Sequence, residues 1–290
     1  MSIQTDPYVS RGSRSQIIER QDPVVYGNSR DNGFLTREQI RFYDENGFLF
    51  LPDFFSPNEI QKLQQEQDRL WMDNQHHNDP EIIRESQSDL IRSIFAVHRN
   101  DPFFSTLCQD SRLVSMAQEI LGSDVYIHQS RINFKSGFRG KEFYWHSDFE
   151  TWHAEDGMPR MRALSISIAL TENNLFNGPL MVMPGSHRYF ISCVGATPKN
   201  HYQESLRKQQ YGIPDDDSLT FLARQCGIEM PTGSPGSLLL FDCNIMHGSS
   251  SNISPYPRSN VFVVYNSVEN RVEAPFAGTE PRPQYIATRD

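Results

Sequence analysis

From Val125 onward the hydrophobic period of the chain changes from helical to two, and this change limits the possible folds more than any other feature. The segment 163–170, ALSISIAL, places Leu and Ile on one strand face and only Ala and Ser on the other. Apolar runs at 178–183 and 237–241 lie between glycine- and proline-containing turns, and 258–267 is a last strong strand. Short strands of this kind predict a β-sandwich or a β-barrel.

Helix signals come before these strands in the sequence. Thr36 and Ser56 each begin a capping box, with Gln39 and Glu59 three residues later. A third helix is expected at 111–121, where Gly122 ends it. Helices followed by many short strands predict an α+β fold with a mainly β core and flanking N-terminal helices.

The length of 290 residues allows one large domain, and we expect a single domain over 1–290. Residues 1–34 are polar and interrupted by proline and glycine, which indicates an extended arm. Residues 195–235 are polar and only in part compatible with helix, which indicates an insertion or a lid over the domain.

The composition argues against several classes of partner. The net charge is -9, from 27 basic and 36 acidic residues, and the sequence has no long basic run, so we expect no nucleic-acid partner. No apolar run approaches the roughly 18 residues that a membrane span needs. Four widely separated cysteines and an N-terminus without a signal-peptide pattern favour reduced thiols in the cytoplasm.

The segment 143–164, FYWHSDFETWHAEDGMPRMRAL, contains His146 and Asp148 in the spacing H-x-D. On a β-strand residues i and i+2 share a face, so we expect these two side chains to hold one metal ion together. An imidazole and a carboxylate form two thirds of the facial triad that binds non-haem Fe(II). An ordinary polar strand end is the alternative, since the spacing by itself is common.

The segment 125–135 is predicted to be a strand with one polar face. Alternation divides its side chains into two sets: Ile127, Gln129, Arg131, Asn133 and Lys135 on one face, and His128, Ser130, Ile132 and Phe134 on the other. The polar face is directed either to water or to a polar cavity, and the pattern alone does not distinguish the two.

His247 and Arg258 complete a possible site. His247 follows the apolar run 238–241, and only the fold can bring it close to His146. Arg258 begins an apolar strand, and an arginine directed inward from such a strand needs an anion, because a buried unpaired charge is costly. The planar guanidinium suits a carboxylate.

The order H-x-D, H, R, together with the glycine turn MPGSH at 183–187, resembles the Fe(II)/2-oxoglutarate dioxygenases of the phytanoyl-CoA hydroxylase type. The resemblance implies a double-stranded β-helix, also called a jelly roll, of the cupin-like kind. It implies that Fe(II) binds to His146, Asp148 and His247, and that O2 is consumed. It also implies that Arg258, with help from Ser249, binds the distal carboxylate of the co-substrate 2-oxoglutarate.

Within that superfamily the segments at 6–11, 128–135 and 143–165 resemble the ectoine hydroxylases, which convert the compatible solute ectoine to 5-hydroxyectoine. The resemblance implies succinate and CO2 as further products, and a homodimer. It also implies two sets of contacts: Asn133 and Lys135 for 2-oxoglutarate, and Gln129, Arg131 and Trp152 for ectoine.

Ectoine is a small ring with a cationic amidine and a carboxylate. The aromatic faces of Trp152 and Phe262 suit the cation, and Arg131 suits the carboxylate. Ser165 belongs to the small-residue strand face, which we expect to form the opposite wall of the pocket.

Other histidines are not expected to bind iron. His153 lies past the metal strand, His128 lies on the wrong face by parity, His187 belongs to a turn, and His76-His77 is a polar loop pair. Two rival functions stay open: a hydroxylase of another small amino acid such as proline, and a non-catalytic jelly-roll protein with a structural ion. Succinate release with ectoine, compared with proline, separates the three.

Overall fold

The computed structural model describes residues 6–27, 33–207 and 211–289. Parts of the predicted arm, lid and single domain, at 1–5, 28–32, 208–210 and 290, lie outside these described residues.

The strands, in chain order, are β1 (Gln16–Glu19), β2 (Phe48–Leu51), β3 (Ile82–Arg84), β4 (Ile91–Phe95), β5 (Val125–Lys135), β6 (Phe143–His146), β7 (Ala163–Ala169), β8 (Leu180–Val182), β9 (Tyr189–Ser192), β10 (Leu238–Asp242), β11 (His247–Ser249) and β12 (Arg258–Ser267). The α-helices are α1 (Arg37–Asn46), α2 (Pro57–Asp73), α3 (Val97–Asn100), α4 (Pro102–Cys108), α5 (Ser111–Leu121), α6 (Asp148–Thr151), α7 (Tyr202–Ser205) and α8 (Asp216–Cys226). A π-helical turn, Trp152–Asp156, continues α6.

The first helices begin and end as the sequence predicts. Thr36 caps α1 and Ser56 caps α2, each in a complete capping box. Gly47 ends α1 with a φ of 77°, in the left-handed region that favours glycine. The local sequence of these termini is therefore sufficient to place both helices.

Two antiparallel sheets form the β core. The larger sheet has the strand order β2-β10-β7-β12-β5-β4-β3, and the smaller has the order β6-β11-β8. The ladder of β12 with β5 is the most extended, from Arg258 opposite Lys135 to Ser267 opposite Val125. A separate two-stranded sheet joins β1 of the N-terminal arm to β9, so the arm is tied to the domain.

The strand faces of the larger sheet separate the main core from the interior between the sheets. On β7 the large side chains Leu164, Ile166 and Ile168 belong to the core cluster that also contains the residues of α1, α2, α4 and α5. The small side chains of Ser165 and Ser167 are directed the other way, where they contact Asp148 and Asn260. The small face of β7 thus borders the interior that contains polar residues.

The predicted alternation along β5 fails at one position. The register with β12 shifts between Gln129 and Ile127, so that His128 is an extra residue in the ladder. Ile127 consequently packs with Ile132 in the main core and does not share the face of Gln129. His128 is directed towards Trp152 and Asp156, so the parity that assigned it to the opposite face was wrong.

No helix in the described part of the chain is both long and apolar enough to cross a membrane.

Candidate metal centre and active site

Three side chains that the sequence indicated as metal ligands converge in the structure. His146 is the last residue of β6, Asp148 is the first residue of α6, and His247 begins β11 directly opposite His146. Each of the three offers one ligand atom, and these atoms all lie within 4.8 Å of one another. The Nε2 atom of His146 lies 3.6 Å from Oδ1 of Asp148, and the Nε2 atom of His247 lies 3.9 Å from Oδ2.

The predicted reason for the convergence of His146 and Asp148 was wrong. The two residues do not share a strand face, because β6 ends at His146 and Ser147 is the N-cap of α6. The hydroxyl of Ser147 accepts a hydrogen bond from Glu150 N, which starts the helix. The turn from strand to helix directs the Asp148 carboxylate back towards the imidazole.

Both imidazoles are oriented for metal binding through Nε2. The Nδ1 atom of His146 lies 2.6 Å from the carbonyl oxygen of Tyr144, and that of His247 lies 3.0 Å from the carbonyl oxygen of Ile245. Each Nδ1–H can donate to its carbonyl, which leaves the lone pair on Nε2.

The electrostatics of the group also suit a divalent cation. Burial raises the pKa of the Asp148 carboxyl, but His247, His146 and Arg131 outweigh this effect and hold the pKa below its usual range. Burial and the neighbouring His146 lower the pKa of His247 to about 4, so this imidazole is neutral at pH 7. One ionised carboxylate and neutral imidazole nitrogens form the donor set that Fe(II) requires.

A cavity lies next to the triad. Its lining includes His146 and Asp148 together with Gln129, Arg131 and Trp152, three residues predicted to contact substrate. The polar face of β5 is therefore directed to a polar cavity in this part of the strand, and not to water.

Two of these residues already make contacts within the protein. Gln129 accepts a hydrogen bond from Nη1 of Arg131 and donates through Nε2 to the carbonyl oxygen of Ile286 at 2.7 Å. Trp152 is 3% exposed, and its ring is 5.3 Å from that of His128 in an edge-on arrangement. The C-terminal tail and the π-helical turn thus hold the cavity wall in place.

The guanidinium of Arg131 occupies a place in which an anion is favourable. It lies 5.1 Å from the ring centre of Phe262 and 5.7 Å from that of Phe95, and its Nε has no hydrogen-bond partner among the described residues. Burial lowers the pKa of Arg131, and Asp148 partly offsets that effect. The ring of Phe262 thus lies against the guanidinium of Arg131. The hydroxyl of Ser165 lies 3.4 Å from Oδ2 of Asp148.

The residues predicted to bind 2-oxoglutarate lie directly behind this wall. The Nζ atom of Lys135 donates to the Ser249 hydroxyl at 2.7 Å and lies 5.5 Å from the ring centre of Phe143, which lines the cavity. Asn133 accepts a hydrogen bond at 2.7 Å from Ser93, which also lines the cavity.

Arg258 is a buried cation without a carboxylate partner among the described residues. It is 5% exposed, donates through Nη1 to Oδ1 of Asn260 at 2.9 Å, and leaves its Nε without a partner. Burial lowers its pKa to about 10. An unpaired buried guanidinium is costly unless a ligand supplies the anion, so this position suits a carboxylate.

Sequence reasoning did not identify several residues that line the cavity, among them Thr151, Glu155, His201 and Arg282. Arg282 makes two hydrogen bonds to Asp156, at 2.7 and 2.6 Å. It lies in a proline-rich tail, where no periodic pattern indicates a direction, so its sequence context gives no sign of a buried role.

The histidines that were not expected to bind iron lie outside the triad. The Nδ1 atom of His153 lies 2.8 Å from the carbonyl oxygen of Met158, and its Nε2 atom lies 3.2 Å from Oδ1 of Asp6. His187 lies in a turn near the carbonyl oxygen of Asp44. His77 is exposed beside an aspartate. Among the described residues, none of these side chains belongs to a cluster able to hold a metal.

Two imidazoles and a carboxylate that converge between antiparallel sheets define the class of non-haem iron oxygenases. The profile of PhyH, described as phytanoyl-CoA dioxygenase, matches residues 43–260. The chain belongs to this family.

Individual relatives cover nearly the whole chain. The ectoine dioxygenase of Bordetella bronchiseptica is 57% identical over 285 residues, which are 98% of this chain and 92% of that protein. The crystal structure of EctD from S. alaskensis with 2-oxoglutarate and 5-hydroxyectoine is 47% identical, with a TM-score of 0.89 and coverage of 98% of this chain and 95% of that chain. The structure of EctD from S. alaskensis with bound Fe has 46% identity, a TM-score of 0.88 and the same coverage. This similarity confirms the predicted double-stranded β-helix with flanking helices.

Proposed function

We propose that this protein hydroxylates ectoine to 5-hydroxyectoine, with Fe(II) as cofactor, 2-oxoglutarate and O2 as co-substrates, and succinate and CO2 as further products. The observation that carries the proposal is the convergence of His146, Asp148 and His247 beside a cavity lined by Gln129, Arg131 and Trp152. Relatives over 50% identical that cover almost the whole chain are ectoine dioxygenases, which supports this substrate.

The triad residues would hold the iron. When bound, Fe(II) supplies activation of O2, since three protein ligands leave coordination positions open for O2 and the co-substrate. The protein orients the two imidazoles through the carbonyl groups of Tyr144 and Ile245. It also keeps Asp148 ionised, as the lowered pKa of that carboxyl indicates.

The co-substrate 2-oxoglutarate would be held from the side of β5, β11 and β12. Arg258 would pair with its distal carboxylate, which supplies the anion that the guanidinium lacks among the described residues. Lys135 and Ser249, which are hydrogen-bonded to each other, would add donors, and Asn133 would add an amide.

Ectoine would occupy the cavity beside the triad. Arg131 would bind the ectoine carboxylate through its guanidinium N–H groups, of which Nε–H has no partner among the described residues, and Gln129 would hydrogen-bond the same ligand. The ring of Trp152 would pack on the cationic amidine. Phe262 would act through Arg131, which lies against its ring, and Ser165 would close the wall beside Asp148.

We propose further that residues 1–290 form one catalytic domain to which the arm at 1–34 and the insertion at 195–235 both contribute. Arg11 of the arm hydrogen-bonds Glu150 at 2.8 and 3.0 Å and Glu155 at 3.0 Å, beside the metal-binding helix α6. Removal of residues 1–34 is therefore expected to abolish ectoine hydroxylation as well as to lower the midpoint of urea unfolding. An active truncated protein would refute this part of the proposal.

The protein is proposed to act as a cytoplasmic homodimer. All four cysteines are free thiols in the structure, which favours a reducing compartment. Exposed apolar side chains that include Phe138, Ile253 and Tyr256 offer a surface for self-association. Cell fractionation tests the location. Light scattering of the purified protein tests the dimer: we expect a molar mass twice that of one chain.

The test of function is succinate release by the iron-loaded protein with 2-oxoglutarate and O2, measured with ectoine and with proline. Ectoine-dependent release together with 5-hydroxyectoine, detected by mass spectrometry, supports the proposal. Release that depends on proline instead assigns a different small amino acid as substrate. Absence of release with either compound, despite bound iron, favours a structural ion.

A further inference from the structure

His201 lines the cavity beside the triad, although it belongs to the insertion at 195–235 and not to a sheet. Its side chain is only 4% exposed, yet neither Nδ1 nor Nε2 has a hydrogen-bond partner among the residues that the structure describes. Buried polar atoms are normally paired, because an unpaired one loses its hydration without compensation. A ligand in the cavity would supply the missing partners.

The backbone at His201 is fixed by local hydrogen bonds. Its N–H donates to the carbonyl oxygen of Pro198 at 3.1 Å, and its own carbonyl accepts from the N–H groups of Glu204 and Ser205 at 3.0 Å. The imidazole packs edge-on against the ring of Tyr211 at 4.9 Å. The placement of the imidazole in the cavity wall is therefore part of a defined turn.

The same turn is anchored to the rest of the domain by apolar contacts. Tyr202 and Leu206 pack against a cluster of Ile83, Phe95 and Ile286, which joins the larger sheet to the C-terminal tail. Ile286 is also the residue whose carbonyl accepts the hydrogen bond from Gln129. The insertion, the tail and the predicted substrate wall thus meet around one cavity.

The charge state of His201 suits a neutral hydrogen-bonding role. Burial lowers the pKa of His201, and the positive charges of Arg11 and Arg282 lower it further, while Glu204 acts in the opposite direction. A neutral imidazole presents one N–H donor and one nitrogen acceptor.

We propose that His201 is a substrate-contact residue, whose imidazole hydrogen-bonds the zwitterion in the cavity and thereby couples the insertion to substrate binding. The inference rests on the proposed function, because a cyclic amidinium carboxylate offers both N–H donors and a carboxylate acceptor. A neutral imidazole can satisfy one group of each kind. Substrate binding would then also stabilise the turn that contains His201.

His201→Phe is the decisive variant. Phenylalanine keeps a ring against Tyr211 and removes both unpaired nitrogens, so a role in packing alone predicts an unchanged or more stable enzyme. A substrate contact predicts a rise of about 10- to 100-fold in KM for ectoine, the range expected when a ligand loses a buried hydrogen-bond partner. The KM for 2-oxoglutarate and the iron content should stay at wild-type values. His201→Asn, which restores a donor and an acceptor, should recover part of the affinity.

Gln203→Ala is the matched control, since Gln203 lies on the same turn with its side chain exposed to solvent. Its KM for ectoine should equal that of the wild type. An equal loss in both variants would indicate a general effect of disturbing the turn, and would overturn the assignment of His201.

A second readout does not depend on turnover. The exposed residues Lys199 and Arg207 flank His201 and are trypsin sites. In iron-loaded enzyme with 2-oxoglutarate and no O2, ectoine should slow cleavage after both residues in the wild type and in Gln203→Ala. The same ectoine concentration should give no protection in His201→Phe.

The failure of the inference is distinguishable from the failure of the proposed function. If the wild type shows ectoine-dependent succinate release and His201→Phe matches it in KM and in protection, the inference is refuted and the proposed function stands. If the wild type shows no ectoine-dependent release, the proposed function fails first and the inference falls with it.

Discussion

The two halves of the active site are built in different ways. On the side proposed to hold iron and the co-substrate, His146 faces His247 across the β6–β11 ladder, and Lys135 faces Arg258 across the β5–β12 ladder. On the opposite side Gln129 and Arg131 of β5 are joined by lining from a π-helical turn, a C-terminal tail and an insertion, at Trp152, Arg282 and His201. Main-chain ladders position the first half, whereas side-chain ion pairs and packing position the second.

This difference matches a division of chemistry. The resemblance implies iron and 2-oxoglutarate for the superfamily as a whole, and the residues proposed to bind them, apart from Asp148 on α6, lie on strands or strand ends of the two sheets. Substrates differ between members, and segments outside the sheets can change without loss of the ladders. We therefore expect substitutions on the two sides to have separable effects.

The largest expected effect is loss of a triad residue. His146→Ala, Asp148→Ala or His247→Ala should reduce turnover below detection and lower the iron content, because a site with three protein ligands cannot lose one and keep its geometry. Circular dichroism should show that the fold is kept. His76→Ala, in an exposed loop away from the site, is the control and should retain full activity. Full activity of any triad variant would remove that residue from the metal site.

The next prediction concerns the ion pair of Arg282 with Asp156, which attaches the C-terminal tail to the π-helical turn. Asp156→Asn should leave Arg282 buried without its charged partner, which costs about 3–5 kcal/mol of unfolding free energy. The KM for ectoine should rise as well, since Arg282 lines the cavity. Urea unfolding measures the loss of unfolding free energy. Asp73→Asn is a matched control, because the exposed pair of Asp73 with Arg69 is worth at most about 1 kcal/mol.

The same carboxylate should give a defined acid dependence. Burial raises the pKa of Asp156, but Arg282 and His128 outweigh this effect and lower it from 3.8 to about 2. The stabilisation is fully present above the unfolded pKa and is lost as the pH falls towards 2, and it amounts to about 2 kcal/mol. Asp156→Asn should lack this component of the acid unfolding curve. An identical curve in both proteins would contradict the assignment.

A third effect concerns the co-substrate side alone. Arg258→Ala should raise KM for 2-oxoglutarate far more than KM for ectoine. Loss of a buried, hydrogen-bonded charge partner costs about 2–5 kcal/mol, or about 30- to 5,000-fold in affinity. Arg41→Ala, with a largely exposed side chain, should change neither constant. An equal rise of both constants in Arg258→Ala would show that the two halves of the site are not separable.

The sequence predicted the strand-built half better than the other half, for a physical reason. Period-two alternation and turn residues are local signals, and they predicted β5 and β12 with the bounds that the structure shows, Val125–Lys135 and Arg258–Ser267. The capping boxes of α1 and α2 are likewise local sequence signals, and they predicted where these helices begin. The H-x-D spacing identified two ligands but predicted the wrong local structure, because the strand ends between them.

The other half depends on contacts between distant parts of the chain. The bulge at His128 reverses the parity of β5, and no residue in the segment indicates where the extra residue would fall. Arg282 hydrogen-bonds Asp156, which is 126 positions away in the sequence. His201 lines the cavity although it belongs to an insertion without a periodic pattern. Their roles become visible only when the fold places them together.

The smallest expected effect bears on substrate choice through Trp152. A cation on an aromatic face is worth about 0.5–2 kcal/mol, so Trp152→Phe, which keeps a ring, should raise KM for ectoine less than Trp152→Ala does. Trp152→Ala should also lower the free energy of unfolding, because removal of the indole, which is 3% exposed, leaves a cavity beside His128. Iron content should be unchanged in both variants, because Trp152 is not one of the three metal ligands. Its side chain also packs in an apolar cluster that contains no residue of β6 or β11, the strands that carry the two histidine ligands. The assay is ectoine-dependent succinate release beside iron content, with unfolding by urea to separate folding from binding. If Trp152→Ala hydroxylated ectoine with a wild-type KM, the attraction between the amidine and the ring would be refuted, and substrate recognition would depend on Arg131 and Gln129 on the sheet.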